Sequence, residues 1–276
     1  MNNSRSDVPP VDYPALYREM QRFQDSHWWF KVHYQAILDL ARPYLKPGMK
    51  ILDLGSAGGW STVGFPAGTK RILFDIRPLA LGIDRSKVFA RICGDAHQIP
   101  LKDGSCDLVM CEGLLHQREA EDPRRIVGEA VRVCRAGGVI IVAEPAFSCL
   151  FGRHDEVFGG CRRFNSRQLA ALFDVSPIRC LRKTYLHLFA FLPLWIVRKT
   201  STRPTTDFSR DNVLTNTVST WLGTLERKLA RRFSLPFGVT VALVMRRNPI
   251  IKPEENQLSS FRPEGWHSDQ SSPEPG

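Results

Sequence analysis

Ile51-Leu52-Asp53-Leu54-Gly55-Ser56-Ala57-Gly58-Gly59-Trp60 is the stretch from which the rest of the chain can be read. Its first four residues, mostly branched and apolar, predict a buried strand. A glycine-rich turn and a short helix start follow. Glycine permits positive φ and lets a ligand approach the backbone closely. Such a turn at a strand's carboxyl end is expected to aim backbone N–H groups at a ligand. Asp53 supplies the first fixed negative charge. A dinucleotide fold needs G-x-G-x-x-G, whose last Gly allows close helix–strand packing. Counted from Gly55, that position is Trp60, which argues against nicotinamide chemistry.

Working outward, the strand is preceded by a Pro47-Gly48 turn and a helix carrying Val32, Ala36, Ile37, Leu40 and Ala41 at helical spacing. Before it lies an aromatic run, with Pro14 suited to a first helical turn. His27-Trp28-Trp29-Phe30 has two readings: a helix packed on the core, or a lid whose aromatic face suits a cation. After the glycine turn, Gly64, Pro66 and Gly68 allow only a short helix. Arg71 to Asp75 predicts a second strand ending in a carboxylate, 20 residues past Gly55. That spacing lets an acidic side chain reach ribose hydroxyls, and Ile76 stands next to it. Ile92 to Leu101 leads through the turn Asp103-Gly104-Ser105 into a strand over Cys106–Cys111. Asp122-Pro123 opens a helix with Ile126, Val127, Ala130, Val131 and Cys134 on its apolar stripe, ended by Gly137-Gly138. Val139 to Ala143 reads as a central strand.

Strand–helix alternation from 50 to 145 implies a parallel sheet. Ligands of such sheets bind beyond the strand carboxyl ends, at the switch point. Asp53, Asp75, Asp95, Cys111 and Glu112 all lie at or just past predicted strand ends.

Asp53-x-Gly55-x-Ala57-x-Gly59 resembles the first motif of S-adenosylmethionine-dependent methyltransferases of Rossmann-like class I, with Ala57 where Gly is usual. "GDAxxIPLxDGSxDLV" and "EAVRVCRAGGVIIVAEP" are similar to later segments of that family, and the upstream HWWF to one subgroup of it. The resemblance implies a seven-stranded, mostly parallel α/β sheet with helices on both faces and an antiparallel last strand. It implies S-adenosyl-L-methionine as cofactor, held by Asp53, Gly55, Ser56, Ala57, Gly59, Asp75, Ile76, Asp95, Ala96, Cys111 and Glu112. Asp95 would meet the adenine amino group, and the Ala96 N–H a ring nitrogen. His116 falls where the family faces the methionine part and the substrate, making it the candidate base. Trp28, Trp29 and Tyr185 are candidate substrate contacts.

Beyond 150 the chain is looser. "RRFNS" over Arg162–Ser166 resembles the subgroup's segment after the fifth strand, with Ser166 as candidate cap. Strands are expected over Ile178–Tyr185 and Phe237–Val244. Between them, 185–235 reads as a helical insertion that builds or covers the substrate pocket. Its second helix would pack through Leu214, Val218, Trp221, Leu222, Leu225 and Leu229. A membrane-interface surface around Trp195 and Arg198-Lys199 is the alternative. The expected organisation is an N-terminal helical cap over 1–46, a methyltransferase domain over 47–250 and a disordered tail over 251–276, with residues 1–12 also disordered.

The chain has 276 residues, 43% hydrophobic and 24% charged, with net charge +10. Residues 150–247 hold 17 Lys and Arg against 6 Asp and Glu, so that half carries the excess. Scattered basic doublets read as a solvated face open to anionic partners. Seven cysteines without a CxxC pair suggest free thiols in a reducing compartment, and no metal site. No leader or spanning run is read, so the expected setting is the cytoplasm, with contact at a membrane surface. The expected activity is methyl transfer to a small-molecule or lipid-like acceptor. The alternatives are a non-catalytic interaction protein of the same fold, or a nucleic-acid methyltransferase. The last lacks an Asn/Asp-Pro-Pro-Tyr-like signature where Cys111-Glu112-Gly113-Leu114 stands.

Overall fold

The structure, a computed structural model, describes residues 11–83, 88–174, 177–200 and 212–249. Residues 1–10, the tail expected over 251–276 and most of the 199–210 linker lie outside these, whereas Asp12, expected in the N-terminal disordered stretch, is placed as the cap of the first helix. Seven strands form one sheet: β1 (Lys50–Leu54), β2 (Lys70–Asp75), β3 (Ala90–Cys93), β4 (Cys106–Glu112), β5 (Cys134–Pro145), β6 (Ile178–Leu186) and β7 (Thr240–Arg247). Their order is β3-β2-β1-β4-β5-β7-β6. Pairing is parallel from β3 across to β5, while β7 runs antiparallel to β5 and β6. The chain steps outward from β1 to β3 and then returns to β4 beside β1. The switch point is therefore between β1 and β4, at the glycine turn.

The pleat sorts the core into two layers. Leu52, Leu54, Val109, Cys111, Ile140 and Val142 face one way, onto Ile126, Val127, Ala130 and Val131 of α4 (Pro123–Val133) and Leu169 of α6 (Ser166–Ala171). Ile51, Leu108, Met110, Val139 and Ile141 face the other, onto Ala36, Ile37, Leu40 and Ala41 of α2 (Trp28–Ala41). A strand buried on both faces needs a near-continuous apolar run, as 139–143 is; in 51–54 the one break is the buried Asp53.

Caps fall close to where the sequence puts them. Asp12 caps α1 (Tyr13–Phe23) and Asp122 caps α4, each with a proline in the first turn. The third helix, α3 (Pro78–Leu81), is a single turn, and α5 (Arg153–Val157) is scarcely longer. Three boundaries differ from expectation, the first being β7, expected over Phe237–Val244 and observed over Thr240–Arg247. α4 ends at Val133, and Cys134 already pairs with Cys106 in the sheet. The cap of α6 is Asn165 rather than Ser166: its side chain accepts from the Arg167 and Gln168 N–H groups, and the Gln168 side chain accepts from the Asn165 N–H.

The largest correction concerns the two helices between β6 and β7. These are α7 (Leu188–Thr200) and α8 (Val213–Ala230). Of the six residues expected to pack α8, only Leu222 is not exposed; Leu214, Val218, Trp221, Leu225 and Leu229 face outward. The helix instead packs on α2 through Gly223, where an added Cβ would lie 2.6 Å from Val32. Asn216 accepts from the Trp28 N–H, and Arg227 and Arg231 pair with Asp39. Glu226 accepts from the His187 and Phe189 N–H groups, joining α8 to the start of α7.

Candidate active site

After β1 the backbone takes positive φ at Gly55 (+74°), Ala57 (+46°), Gly58 (+126°) and Gly59 (+76°). This folds the turn against β2 rather than opening it. The Gly55 and Ser56 N–H groups both donate to Phe74 O, and the Ala57 N–H to Asp75 Oδ2 at 3.0 Å. The expected open cradle of main-chain amides is thus corrected, because β2 takes those donors. What the turn offers instead is the Ser56 hydroxyl, buried and without a partner among the described residues. A short 3-10 turn over Trp60–Thr62 follows.

Asp53 does not line the cavity. It lies on the α2 side of the sheet and accepts from Thr62 Oγ1 at 2.7 Å. The Arg71 guanidinium donates to the same hydroxyl and to Gly59 O. Burial pushes the Asp53 carboxyl up to about 7, against the Thr62 hydrogen bond and nearby Arg71. Asp53 and Gly59 therefore brace the turn, and neither reaches the cavity. Cys111 is likewise a core residue, buried on the α4 face. Tyr185 stacks on Phe147 and accepts from the Ser166 N–H, away from the cavity.

The other named residues converge on one cavity of about 620 Å³ at the strand carboxyl ends. Asp75 is buried there, its two oxygens oriented by the Ala57 and Arg77 N–H groups. Ile76 and Ala96 line the same wall. Asp95 accepts from the His97 N–H at 2.8 Å, which with the His97 ring holds its carboxyl below the usual range. The His97 ring nitrogen Nε2 accepts from the Asp122 N–H, so its proton sits on Nδ1, toward Asp95. Helix α1 borders this end through Leu16, Tyr17 and Met20. The Arg77 guanidinium lies 3.4 Å from the Tyr13 ring centre, and both side chains bond Glu119. Burial beside Asp75 pushes the Tyr17 phenol up to about 12.

Two buried polar chains meet the middle of the cavity. At the end of β4, Glu112 accepts from Ser61 and from His33 Nε2 at 2.6 Å. Burial pushes its carboxyl up, but His33 and the two hydrogen bonds outweigh it and hold it low. His33 Nδ1 is 2.9 Å from His187 Nε2, and Trp29 stacks on the His33 ring. Burial keeps His187 neutral. The second chain starts at Glu144, wholly buried on β5. It accepts from the Leu114, Leu115 and His116 N–H groups and meets His116 Nδ1 at 2.9 Å. His116 Nε2 lies 3.1 Å from the Gln117 amide nitrogen. A carboxylate on Nδ1 fixes the tautomer with a lone pair on Nε2. Glu144 and His33 were not among the residues read from the sequence. Glu144 ends a predicted strand just as Asp75 does, and that signal was available. His33 had none beyond a place one turn after Trp29.

Toward α7 and α8 the lining is largely apolar, with Trp28, Trp29, Phe189, Leu194, Val197, Phe158 and Leu222, but α7 also brings in Arg198, paired with Asp155, and α8 brings in Thr215 and Ser219. The donor set suits S-adenosyl-L-methionine. Paired carboxylates suit a ribose diol and an adenine amino group, and orphaned Ser56 Oγ and Gln117 Oε1 are polar atoms left for a ligand.

Comparison with known proteins agrees. A family model described as a methyltransferase domain matches residues 52–142. An uncharacterized methyltransferase of Synechocystis sp. is 30% identical over 198 residues, covering 67% of this chain and 91% of that protein. A demethylmenaquinone methyltransferase of Corynebacterium glutamicum is 34% identical over 101 residues, 36% of this chain and 43% of that one. The chain thus spans less than half the length of that relative. Among solved structures, a putative methyltransferase of Haloferax volcanii superimposes with TM-score 0.58 at 16% identity, covering 87% of this chain and 99% of that one. The cyclase SpnF does so with TM-score 0.54 at 16% identity, covering 88% and 99%. At such identities the likeness is one of fold, and a fold does not fix its reaction. The strand order, the turn at the switch point and the Synechocystis relative together place the chain: it belongs to the S-adenosyl-L-methionine-dependent class I methyltransferases.

Proposed function

We propose that the chain methylates a small, lipid-like acceptor bound against α7 and α8, with His116 as the base. The observation that carries this is a cavity with polar anchors at the β1–β4 end and a largely apolar wall where Trp28 and Trp29 of α2 face Phe189, Leu194 and Val197 of α7. The match to a demethylmenaquinone methyltransferase supports an acceptor of that kind.

When bound, S-adenosyl-L-methionine supplies an activated methyl group, so alignment does most of the catalytic work. Asp75 would accept from the ribose hydroxyls and Asp95 from the adenine amino group, the Ala96 N–H would donate to a ring nitrogen, and Ile76 would pack on the base. Ser56 and Glu112 would hold the amino-acid part. Helix α1 and the start of α2 form the cap assigned to residues 1–46, with Trp28 and Trp29 closing over the acceptor. Glu144 holds His116 Nδ1–H, so Nε2 receives a proton from the acceptor once the Gln117 amide gives way.

Calorimetry with S-adenosylmethionine and turnover to S-adenosylhomocysteine with quinols and prenylated phenols test the reading. Acceptor-dependent turnover is expected. His116→Ala is expected to lower kcat about a hundred- to ten-thousand-fold, leaving cofactor affinity unchanged. Cofactor binding without turnover on any such acceptor, or full activity in His116→Ala, would overturn it.

A further inference from the structure

Helix α8 is turned outside in. Its buried side carries Ser219, Gly223 and Glu226, small or polar residues that meet α2, α7 and the cavity. Its outer side carries Leu214, Val218, Trp221, Leu225 and Leu229, spaced as one stripe along the full length. Leu214 is 72% exposed and Trp221 is 63% exposed. On α7, Leu192, Trp195 and Ile196 are exposed at the same helical spacing. A contiguous exposed apolar surface of this kind marks an interaction site.

Charge points to the partner. Each stripe runs into exposed cations at its carboxyl end: Lys199 on α7, and Lys228 and Arg232 at the end of α8. Arg227 and Arg231 are committed to Asp39 on the other flank. No acidic residue falls on either outer stripe. Apolar side chains with tryptophan and flanking cations are the composition of a helix lying in a bilayer's headgroup region. No helix among the described residues is long and apolar enough to cross a membrane, so the helices lie on the surface.

We infer that α7 and α8 dock the enzyme on an anionic lipid bilayer. The same helices wall the cavity through Phe189, Leu194, Val197, Ser219 and Leu222. Docking therefore sets the acceptor side of the site against the lipid, giving an amphipathic acceptor a route in without crossing water. This goes beyond the identity of the acceptor, and binding is read without methyl transfer.

The test is flotation of the full chain with vesicles of phosphatidylcholine alone or mixed with phosphatidylglycerol. Binding to the mixed vesicles is expected, with a tryptophan blue shift, and weakening as salt rises. Trp221→Glu combined with Leu225→Glu should lower vesicle affinity at least tenfold while S-adenosylmethionine affinity stays put, which shows the variant is folded. Lys228→Gln and Arg232→Gln should each lower binding to the anionic vesicles about fivefold and leave neutral vesicles unaffected. Absence of vesicle binding overturns the inference. So does binding indifferent to the double variant. A concentration-dependent dimer abolished by that variant would also overturn it, by making a second copy the occupant.

Discussion

Ala57 shows how a single residue carries the cost of the turn. Its φ of +46° lies in the left-handed region that L side chains avoid. The position is held because its N–H reaches Asp75 Oδ2 and fixes that carboxylate at the edge of the cavity. Ala57→Gly removes the Cβ penalty and is expected to stabilise the protein by about 1 kcal/mol, a gain of a few degrees in Tm by thermal unfolding. An unchanged or lower Tm would mean the turn is not strained there. The acids at the strand ends were legible from sequence because a carboxylate after a buried strand has few structural uses. Which of them face the ligand was not legible. Asp53 and Asp75 leave the same face of neighbouring strands, but Asp53 pairs with Leu73, two residues short of Asp75, so it stays beneath the turn on Thr62 while Asp75 reaches the carboxyl edge and the cavity. His116 was placed by its neighbourhood, whereas its partner Glu144 comes from 28 residues away and needed the sheet to bring it close.

At the scale of elements, periodicity found α8 but chose the wrong face. An apolar stripe says that one side differs from the other; it does not say which side meets the protein. Here the choice fell to a close approach, with Gly223 against Val32. Gly223→Ala gains about 1 kcal/mol of helix propensity, but the Cβ would meet Val32, a stiff branched side chain, at 2.6 Å. Overpacking costs about 1–3 kcal/mol. A net loss of about 1 kcal/mol is expected in denaturant unfolding. In a Val32→Ala background the loss should shrink or reverse, as a double-mutant cycle would read. Equal effects in both backgrounds would locate the packing elsewhere. The early end of α4 has a similar origin: Cys134 leaves the helix to pair with Cys106, a long-range demand that the local pattern does not encode.

For the molecule as a whole, helix α1 and the carboxyl ends of the strands border one cavity. Helix α1 is held over the cavity by Arg77 and Glu119 rather than by a large apolar interface, since Leu16 and Tyr17 are its buried residues. Saturating S-adenosylmethionine, at about a hundred times Kd, is expected to add roughly 2.7 kcal/mol of stability and to slow amide exchange across Tyr13–Phe23. Arg77→Ala should abolish the α1 protection and weaken cofactor binding about tenfold, read by exchange mass spectrometry and calorimetry. Protection of α1 unchanged in that variant would show that the helix closes without it.

The sequence by itself determined the sheet, its parallel sense from β1 to β5 and the turn at the switch point, while the cofactor class came from the resemblance of its motifs to a known family. The first three are properties of local pattern: two-sided burial writes an apolar run, and a tight turn against a strand end demands glycine at set spacing. Only the tertiary structure decided that the turn's amides bind β2, that Glu144 meets His116, that Glu112 joins His33 and His187, and that α8 shows its leucines to the outside. Each of these depends on which distant surface arrives first at a side chain with two equally good sides. A one-dimensional pattern carries no record of that competition.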